Sequence, residues 1–149
     1  MKGPSRRSAV AALAIAGLTP ARALAESPFT VYRTAGCQCC QGWVSQMESA
    51  GYRPRTVIVD DLADVRLRYK VPADLAACHT AVIHGYVVEG HVPAEDVQAL
   101  LRQRPQAIGI AVPGMPAGAP GMEQADGSRE AFMTLLLLDG GRRRIFARH

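Results

Sequence analysis

Three of the four cysteines in this chain stand within four consecutive positions, in the stretch GCQCC. Cys37 and Cys40 form a C-x-x-C pair, and Cys39 lies between them. At the N-terminus of a helix, the free backbone N–H groups and the helix dipole would stabilise a thiolate on such a pair. The stretch therefore suits a disulfide, a thiol–disulfide exchange centre or a metal site.

The adjacency of Cys39 and Cys40 bears on which metal such a site would hold. A tetrahedral zinc site usually takes cysteines two to four residues apart, because the side chains of adjacent residues diverge. Adjacent thiolates are better suited to bridging several soft Cu(I) ions. Charge balance agrees, because several Cu(I) ions would neutralise four thiolates, whereas one divalent ion would leave the cluster anionic.

Other soft or imidazole donors are available. Met115 and Met122 lie in the Pro- and Gly-rich stretch VPGMPAGAPGM, where no helical face accounts for them, and thioethers bind Cu(I). A hydrophobic plug over the core is the alternative role for both methionines. His79 directly follows Cys78 and is the best imidazole candidate, although a structural hydrogen bond accounts for it equally well. The sequence does not decide whether His91 faces the rim of the site or caps the helix that follows.

The surrounding sequence predicts the elements that position these residues. Apolar spacing and turn residues indicate the order β-α-β-α-β-β-α, with the cysteine stretch between the first strand and the first helix. The predicted strands are 29–32, 55–59, 80–83 and 86–88. The predicted helices run from Cys40 to Gly51, from Asp60-Asp61 to Val71-Pro72, and from Pro93 to Arg104.

This order resembles the thioredoxin fold, an α/β three-layer sandwich around a mixed central sheet. In thioredoxin-like oxidoreductases a cis-proline usually precedes the third strand and faces the C-x-x-C pair, whereas Cys78 and His79 occupy that position here. A fourth thiol is therefore expected to point at the other three, and Cys39 would compete for any mixed disulfide. Residues 105–149 are predicted to add a loop and a β-hairpin with strands at 132–138 and 144–147.

The first 25 residues predict a signal peptide. They combine a basic start, an apolar run from Ala9 to Leu18 and the cleavage motif Ala23-Leu24-Ala25. The apolar run is too short for a stable membrane span, so a membrane-anchored N-terminus is the weaker alternative. Residues 26–149 would then form one exported domain, and Arg6-Arg7 leaves the twin-arginine route open.

The charge of the predicted mature chain gives no reason to expect nucleic acid binding. Four of the 17 Lys and Arg residues, and none of the 13 Asp and Glu residues, lie in the first 25 positions, so residues 26–149 are formally neutral. The basic run Arg142-Arg143-Arg144 is more typical of a solvated strand end than of a phosphate-binding patch.

Three segments together resemble domain-of-unknown-function family 411, which includes the CopG-type periplasmic copper-binding proteins. The segments are VYRTAGCQCCQGWV, ACHTAVIHGYVVEGHVPAEDV and GIAVPGMPAGAPGM. The resemblance implies a thioredoxin-like fold with a C-x-C-C copper site, often associated with copper-resistance systems. Carried over by position, the copper ligands would be Cys37, Cys39, Cys40 and Cys78, with the methionine loop nearby.

The sequence thus predicts a periplasmic protein that sequesters or relays Cu(I), with more than one ion per chain and with redox cycling left open. The predicted metal donors are Cys37, Cys39, Cys40, Cys78, Met115, Met122 and His79. Expected partners are periplasmic copper-export or copper-chaperone proteins, with no nucleic acid and no membrane span after signal cleavage. A periplasmic thiol–disulfide oxidoreductase using Cys37 and Cys40, and a structural zinc or disulfide domain, are the alternatives. Whether the protein is an enzyme is left open.

Overall fold

The computed structural model describes residues 28–149, so the predicted signal peptide and its cleavage site lie outside the described residues. The elements in chain order are β1 (Pro28–Arg33), α1 (Gln38–Ser49), β2 (Arg53–Ile58), α2 (Ala63–Arg68), β3 (His79–Ile83), β4 (Tyr86–Glu89), α3 (Ala94–Gln103), β5 (Gly109–Ala111), β6 (Met133–Leu137) and β7 (Arg143–Arg148). Short 3-10 turns occupy Ala73–Leu75 and Asp139–Gly141. None of the described helices combines the length and the apolar composition that a bilayer span requires.

The seven strands form one mixed sheet in the order β2-β1-β3-β4-β5-β6-β7. β1 and β2 are parallel and are joined through α1, whereas β3 runs antiparallel to both β1 and β4. β4 and β5 are again parallel and are joined through α3. The order of the first four strands confirms the predicted thioredoxin-like α/β arrangement.

One face of the sheet carries the main hydrophobic core. A row of paired residues crosses five strands on this face and is fully buried: Val31, Ala81, Val88, Ile110 and Leu136. Helices α1 and α3 cover the row with Trp43, Val44, Met47, Val97, Leu100 and Leu101. Each large side chain in this core stabilises the fold by roughly 1.5–3 kcal/mol. The core therefore fixes α1, and with it the cysteine stretch, against the sheet.

The opposite face of the sheet is covered by α2. Tyr32, Thr80 and Glu89 pair across β1, β3 and β4 on this face. Arg66 of α2 reaches Glu89, and the ring of Tyr69 lies 6.2 Å from that of Tyr32. Helices on both faces of the sheet give the three-layer sandwich that the sequence predicted.

The C-terminal part of the chain extends the same sheet. The predicted hairpin is present as β6 and β7, and β6 pairs with β5, a strand of three residues that the sequence analysis did not predict. The starts of all three helices also differ from the prediction by a small amount. Helix α2 begins at Ala63, and Leu62 precedes it where Asp60-Asp61 was predicted to cap it. Helix α1 begins at Gln38 instead of Cys40, and Pro93 precedes the first residue of α3 instead of being that residue.

Candidate metal centre

The cysteine stretch forms the start of helix α1. Gly36 turns the chain with a φ of +73°, and Cys37 then occupies the position directly before the helix without a side-chain hydrogen bond to the helix. Cys39 and Cys40 lie in the first turn, where the backbone N–H groups have no partner within the helix. A disulfide joins Cys37 to Cys40, whose side chain is fully buried.

Cys78 brings the fourth sulfur to the same place. It directly precedes β3, which pairs with β1, so the start of β3 and the start of α1 lie at the same end of the sheet. The Sγ atom of Cys39 lies 3.6 Å from that of Cys37 and 3.7 Å from that of Cys78. All four Sγ atoms lie within 4.8 Å of one another.

The free thiol of Cys78 holds its proton strongly. Burial is the main cause, and the neighbouring Cys39 thiol adds to it, so that the pKa of Cys78 rises to about 11. In the metal-free chain Cys78 is therefore protonated at neutral pH. A metal that binds its sulfur must displace this proton, because thiolates and not thiols are the ligands of soft metals.

Met115 adds a fifth sulfur to the group. Its Sδ atom lies 2.9 Å from Cys78 Sγ, and its side chain is 56% exposed. The other candidate thioether, Met122, lies in the same loop, where its backbone closes a turn with Gly118 and Ala119. No described contact joins its sulfur to the cysteines, so its role as a ligand stays a prediction.

The methionine loop is held against α1 by a close backbone approach. Gly121 has a φ of +82°, and a Cβ atom added there would lie 2.5 Å from the carbonyl oxygen of Cys39 and 2.6 Å from the backbone nitrogen of Trp43. Glycine is required at such a position because it carries no side chain and adopts positive φ at little cost. The loop that carries Met115 is thereby tied to the helix that carries Cys39 and Cys40.

His79 lies beneath the sulfur group. His79 is the first residue of β3, and its side chain points to the same face of the sheet as the core residue Ala81, because residues two positions apart in a strand share a face. Its ring is fully buried, with its centroid 4.4 Å from that of Trp43 and 5.2 Å from that of His91. Both ring nitrogens lack a hydrogen-bond partner among the described residues, and burial lowers the pKa of His79 to about 3. The close group of donors formed by described residues consists of the four cysteines, so His79 as a ligand stays a prediction.

His91 is buried as well and does not cap a helix. Its Nδ1 atom lies 2.9 Å from the carbonyl oxygen of Pro120 in the methionine loop. Burial lowers its pKa, which keeps the ring neutral. The sequence analysis considered each histidine separately and did not predict that the two rings would pack together, with the ring of Trp43 against that of His79.

A partly buried ion pair contacts Ala77, the residue before Cys78, and the sequence analysis did not single it out. The Arg66 Nε atom lies 2.9 Å from Glu89 Oε1, and the Glu89 side chain is fully buried. Thr80 donates to Glu89 Oε2 at 2.5 Å, and the backbone N–H of Ala77 donates to Glu89 Oε1 at 2.8 Å. Burial raises the pKa of Glu89, while these donors oppose the rise.

The chemistry of the donor set fits a soft metal ion. Four cysteine sulfurs, of which one is buried and three are partly buried, lie together beside the exposed thioether of Met115, and sulfur donors of this kind suit soft metal ions such as Cu(I) better than harder cations. In the structure, two of the four cysteine sulfurs, those of Cys37 and Cys40, are joined in the disulfide. All four cysteines are free thiols only after the disulfide is reduced.

Comparison with known proteins extends these observations. Residues 75–122 match the family model described as a protein of unknown function, DUF411. Among curated proteins, none matches the sequence. Two solved structures, named copper resistance protein CopG form 1 and form 2, each share 39% identity with the chain at a TM-score of 0.78. Each alignment covers 83% of this chain and 98% of the solved chain. With this identity over nearly the whole solved structure, the chain belongs to the DUF411 family of CopG-type proteins.

Proposed function

We propose that this protein sequesters or relays Cu(I) through its cysteine cluster as part of a copper-resistance system. The observation that carries the proposal is the convergence of four cysteine sulfurs within 4.8 Å of one another. The copper-resistance names of the two similar structures support the choice of metal. Sulfur softness supports the monovalent state, because thiolate and thioether ligands favour Cu(I).

The proposed ligands are the four cysteines together with Met115. More than one ion per chain is proposed, because four thiolates close together repel one another unless several positive charges lie between them. Met115 is the most exposed of the five donors, and it would be the first sulfur that an incoming or departing ion meets. Met122 and His79 are further proposed donors, which would join after local rearrangement.

The proposed setting is the periplasm. Export through the predicted signal peptide would leave residues 26–149 as a single domain, and copper-export or copper-chaperone proteins would supply or accept the ions. Copper binding and disulfide formation would compete for the same sulfurs, because the Cys37–Cys40 disulfide removes two of the proposed ligands. Redox cycling between the two states is therefore part of the proposal.

An anaerobic titration of the reduced 26–149 chain with Cu(I), against a chromogenic Cu(I) chelator, tests the proposal. The expected result is more than one ion per chain and a large loss of binding in the Cys39→Ser, Cys40→Ser double variant. Met133→Leu serves as the control, because Met133 is an exposed methionine on β6 outside the sulfur group. Fewer than one ion per chain, or unchanged binding by the double variant, would refute the proposal.

Thiol–disulfide exchange is the second candidate function, and the Cys37–Cys40 disulfide at the start of α1 favours it. Helix N-termini stabilise the thiolate that such exchange requires. This function predicts metal-free reduction of an insulin-type disulfide substrate, with activity retained when Cys39 and Cys78 are both replaced by serine. Activity that disappears in that double variant would exclude a mechanism resting on Cys37 and Cys40 alone.

A further inference from the structure

The segment that carries Cys78 has little regular structure of its own. Cys78 lies between the 3-10 turn Ala73–Leu75 and the first residue of β3. Neither Ala77 nor Cys78 belongs to a helix or a strand. The position of the Cys78 sulfur therefore depends on what holds the peptide groups next to it.

Arg66 and Glu89 hold both polar groups of Ala77, the residue directly before Cys78. The Ala77 N–H donates to Glu89 Oε1, and Arg66 Nη2 donates to the Ala77 carbonyl oxygen. The same Glu89 oxygen accepts from Arg66 Nε, so the two side chains and the backbone of Ala77 form one closed network. Thr80 fixes the second carboxylate oxygen of Glu89.

A close backbone approach presses the same segment against the end of β4. Gly90, which follows Glu89, donates from its N–H to the His79 carbonyl oxygen at 3.0 Å. A Cβ atom on Gly90 would lie 2.7 Å from the Cβ atom of Ala77. Ala77 is thus confined by hydrogen bonds on two sides and by packing on a third.

We infer that Arg66 and Glu89 are positioning residues of the metal centre, which hold the Ala77–Cys78 segment so that Cys78 faces Cys39. The inference rests on the proposed function, because it assigns the pair a role in metal binding. Two apolar side chains in their place would leave the partly buried N–H and C=O of Ala77 without these partners, and polar groups withdrawn from water without a partner cost free energy.

A double-mutant cycle on Cu(I) binding tests the inference. Glu89→Leu removes the acceptor for Ala77 and should weaken Cu(I) binding by about 10- to 100-fold, the usual effect of losing a residue that orients a metal ligand. Glu89→Gln keeps a side-chain oxygen for the Ala77 N–H and should recover most of the affinity. In a Cys78→Ser background Glu89→Leu should cause no further loss, because the pair acts through that sulfur. Asp139→Asn is the control, since it removes an exposed carboxylate paired with Lys70.

A second variant and a second readout cover the case in which Glu89→Leu does not fold. Arg66→Lys keeps the positive charge but loses the branched group that bonds Glu89 and Ala77 together, and it should also weaken Cu(I) binding. In the chain with its disulfide intact, Cys39 and Cys78 are free thiols 3.7 Å apart, so the thiol-bridging reagent dibromobimane reports their proximity without copper. The yield of the bridged product should fall in Arg66→Lys.

The outcomes separate this inference from the proposed function. If wild-type protein binds no Cu(I) but bridging still depends on Arg66, the proposed function fails, and the pair still positions Cys78 against Cys39 but has no role in metal binding. If the folded variants bind Cu(I) and bridge like wild type, the positioning role is wrong. It is also wrong if Glu89→Leu weakens binding to the same extent with and without Cys78, because the loss would then reflect general destabilisation.

Discussion

Replacing Gly121 with alanine should destabilise the protein through the contact between the methionine loop and α1. The added Cβ atom would lie 2.5 Å from the Cys39 carbonyl oxygen and 2.6 Å from the Trp43 nitrogen. Both are backbone atoms of a helix whose buried face is fixed in the core, so neither can rotate away. Either the helix and the loop move apart as intact units, or the loop changes conformation and loses its contact with α1. Both changes cost free energy.

The expected magnitude has two parts. An alanine in the left-handed conformation, at a φ of +82°, lowers the free energy of unfolding by about 1–2 kcal/mol. Forcing a methyl group into filled space usually costs about 1–3 kcal/mol more. Gly127→Ala is the matched control, because Gly127 has a φ of +73° and nothing within 4 Å of its Cβ position. The control should lose only the first part, about 1–2 kcal/mol, whereas Gly121→Ala should lose about 2–5 kcal/mol in total.

Urea-induced unfolding of both variants, with the disulfide intact, measures the two losses in the free energy of unfolding. Gly121→Ala should also weaken Cu(I) binding, because the displaced loop carries Met115 away from Cys78. Equal free energies of unfolding for the two variants, to within about 0.5 kcal/mol, would refute the claim that this glycine is needed for close backbone contact.

Three further predictions concern other parts of the molecule. Met115→Ala should change the free energy of unfolding by no more than about 0.5 kcal/mol, because the residue is 56% exposed. The same variant should weaken Cu(I) binding, as measured by competition with a Cu(I) chelator. The pKa values of His79 and His91 are lowered in the folded protein, so below a pH of about 6.5 the unfolded chain binds more protons than the folded chain. The metal-free protein should therefore lose stability as the pH falls from this value. The loss is at most about 1.4 kcal/mol per pH unit for each ring. The urea midpoint measured against pH should fall less steeply in His91→Phe, and an unchanged slope would contradict the assignment. Thr134→Val removes the 2.5 Å hydrogen bond to the buried side chain of Asp96 and should cost about 1–3 kcal/mol in thermal unfolding. No loss would contradict this prediction and would mean that the contact of the same Asp96 oxygen with His149 Nε2, at 2.9 Å, suffices.

Helix α1 shows why much of this fold could be predicted from the sequence. Its apolar residues Trp43, Val44 and Met47 recur at helical spacing, and all three are buried in the structure. Gly51 has a φ of +90°, as expected of a glycine that ends a helix. The local pattern and the tertiary packing agree here, so the sequence carried enough information.

Strand β5 shows where such prediction fails. It has three residues, all buried, and a strand so short displays no alternation. Its first residue, Gly109, suggests a turn, yet a side chain there would overlap the backbone of Val87 in the neighbouring strand β4. The glycine therefore serves close strand pairing, which depends on a contact between segments distant in the chain. For the same reason the sequence could not place the C-terminal hairpin in the sheet.

The sequence did not reveal the ion pair of Arg66 and Glu89 for a related reason. The two residues are 23 positions apart, on α2 and on β4. A glutamate after two valines at the end of a strand suggests a solvent-exposed side chain, and an arginine on a short helix suggests the same. Only the packing of α2 on the sheet reveals that they meet at Ala77, next to Cys78. The ligand-type residues near a site can be found from their chemistry, whereas the residues that position them cannot.

The cysteines themselves combine two arrangements that the sequence presented as alternatives. Successive residues of a helix differ in direction by about 100°, so the side chains of Cys39 and Cys40 leave the helix in different directions, although their sulfurs lie within 4.8 Å of each other. Cys40 turns into the protein and closes the disulfide with Cys37, while Cys39 faces Cys78. With the disulfide closed, the free soft donors of the described sulfur group are Cys39, Cys78 and Met115; with it reduced, all five sulfurs are available. Under the proposed function, the copper capacity of the chain therefore depends on the oxidation state of one disulfide. The redox reaction and the metal site share the same atoms and need not be competing explanations of the C-x-C-C stretch.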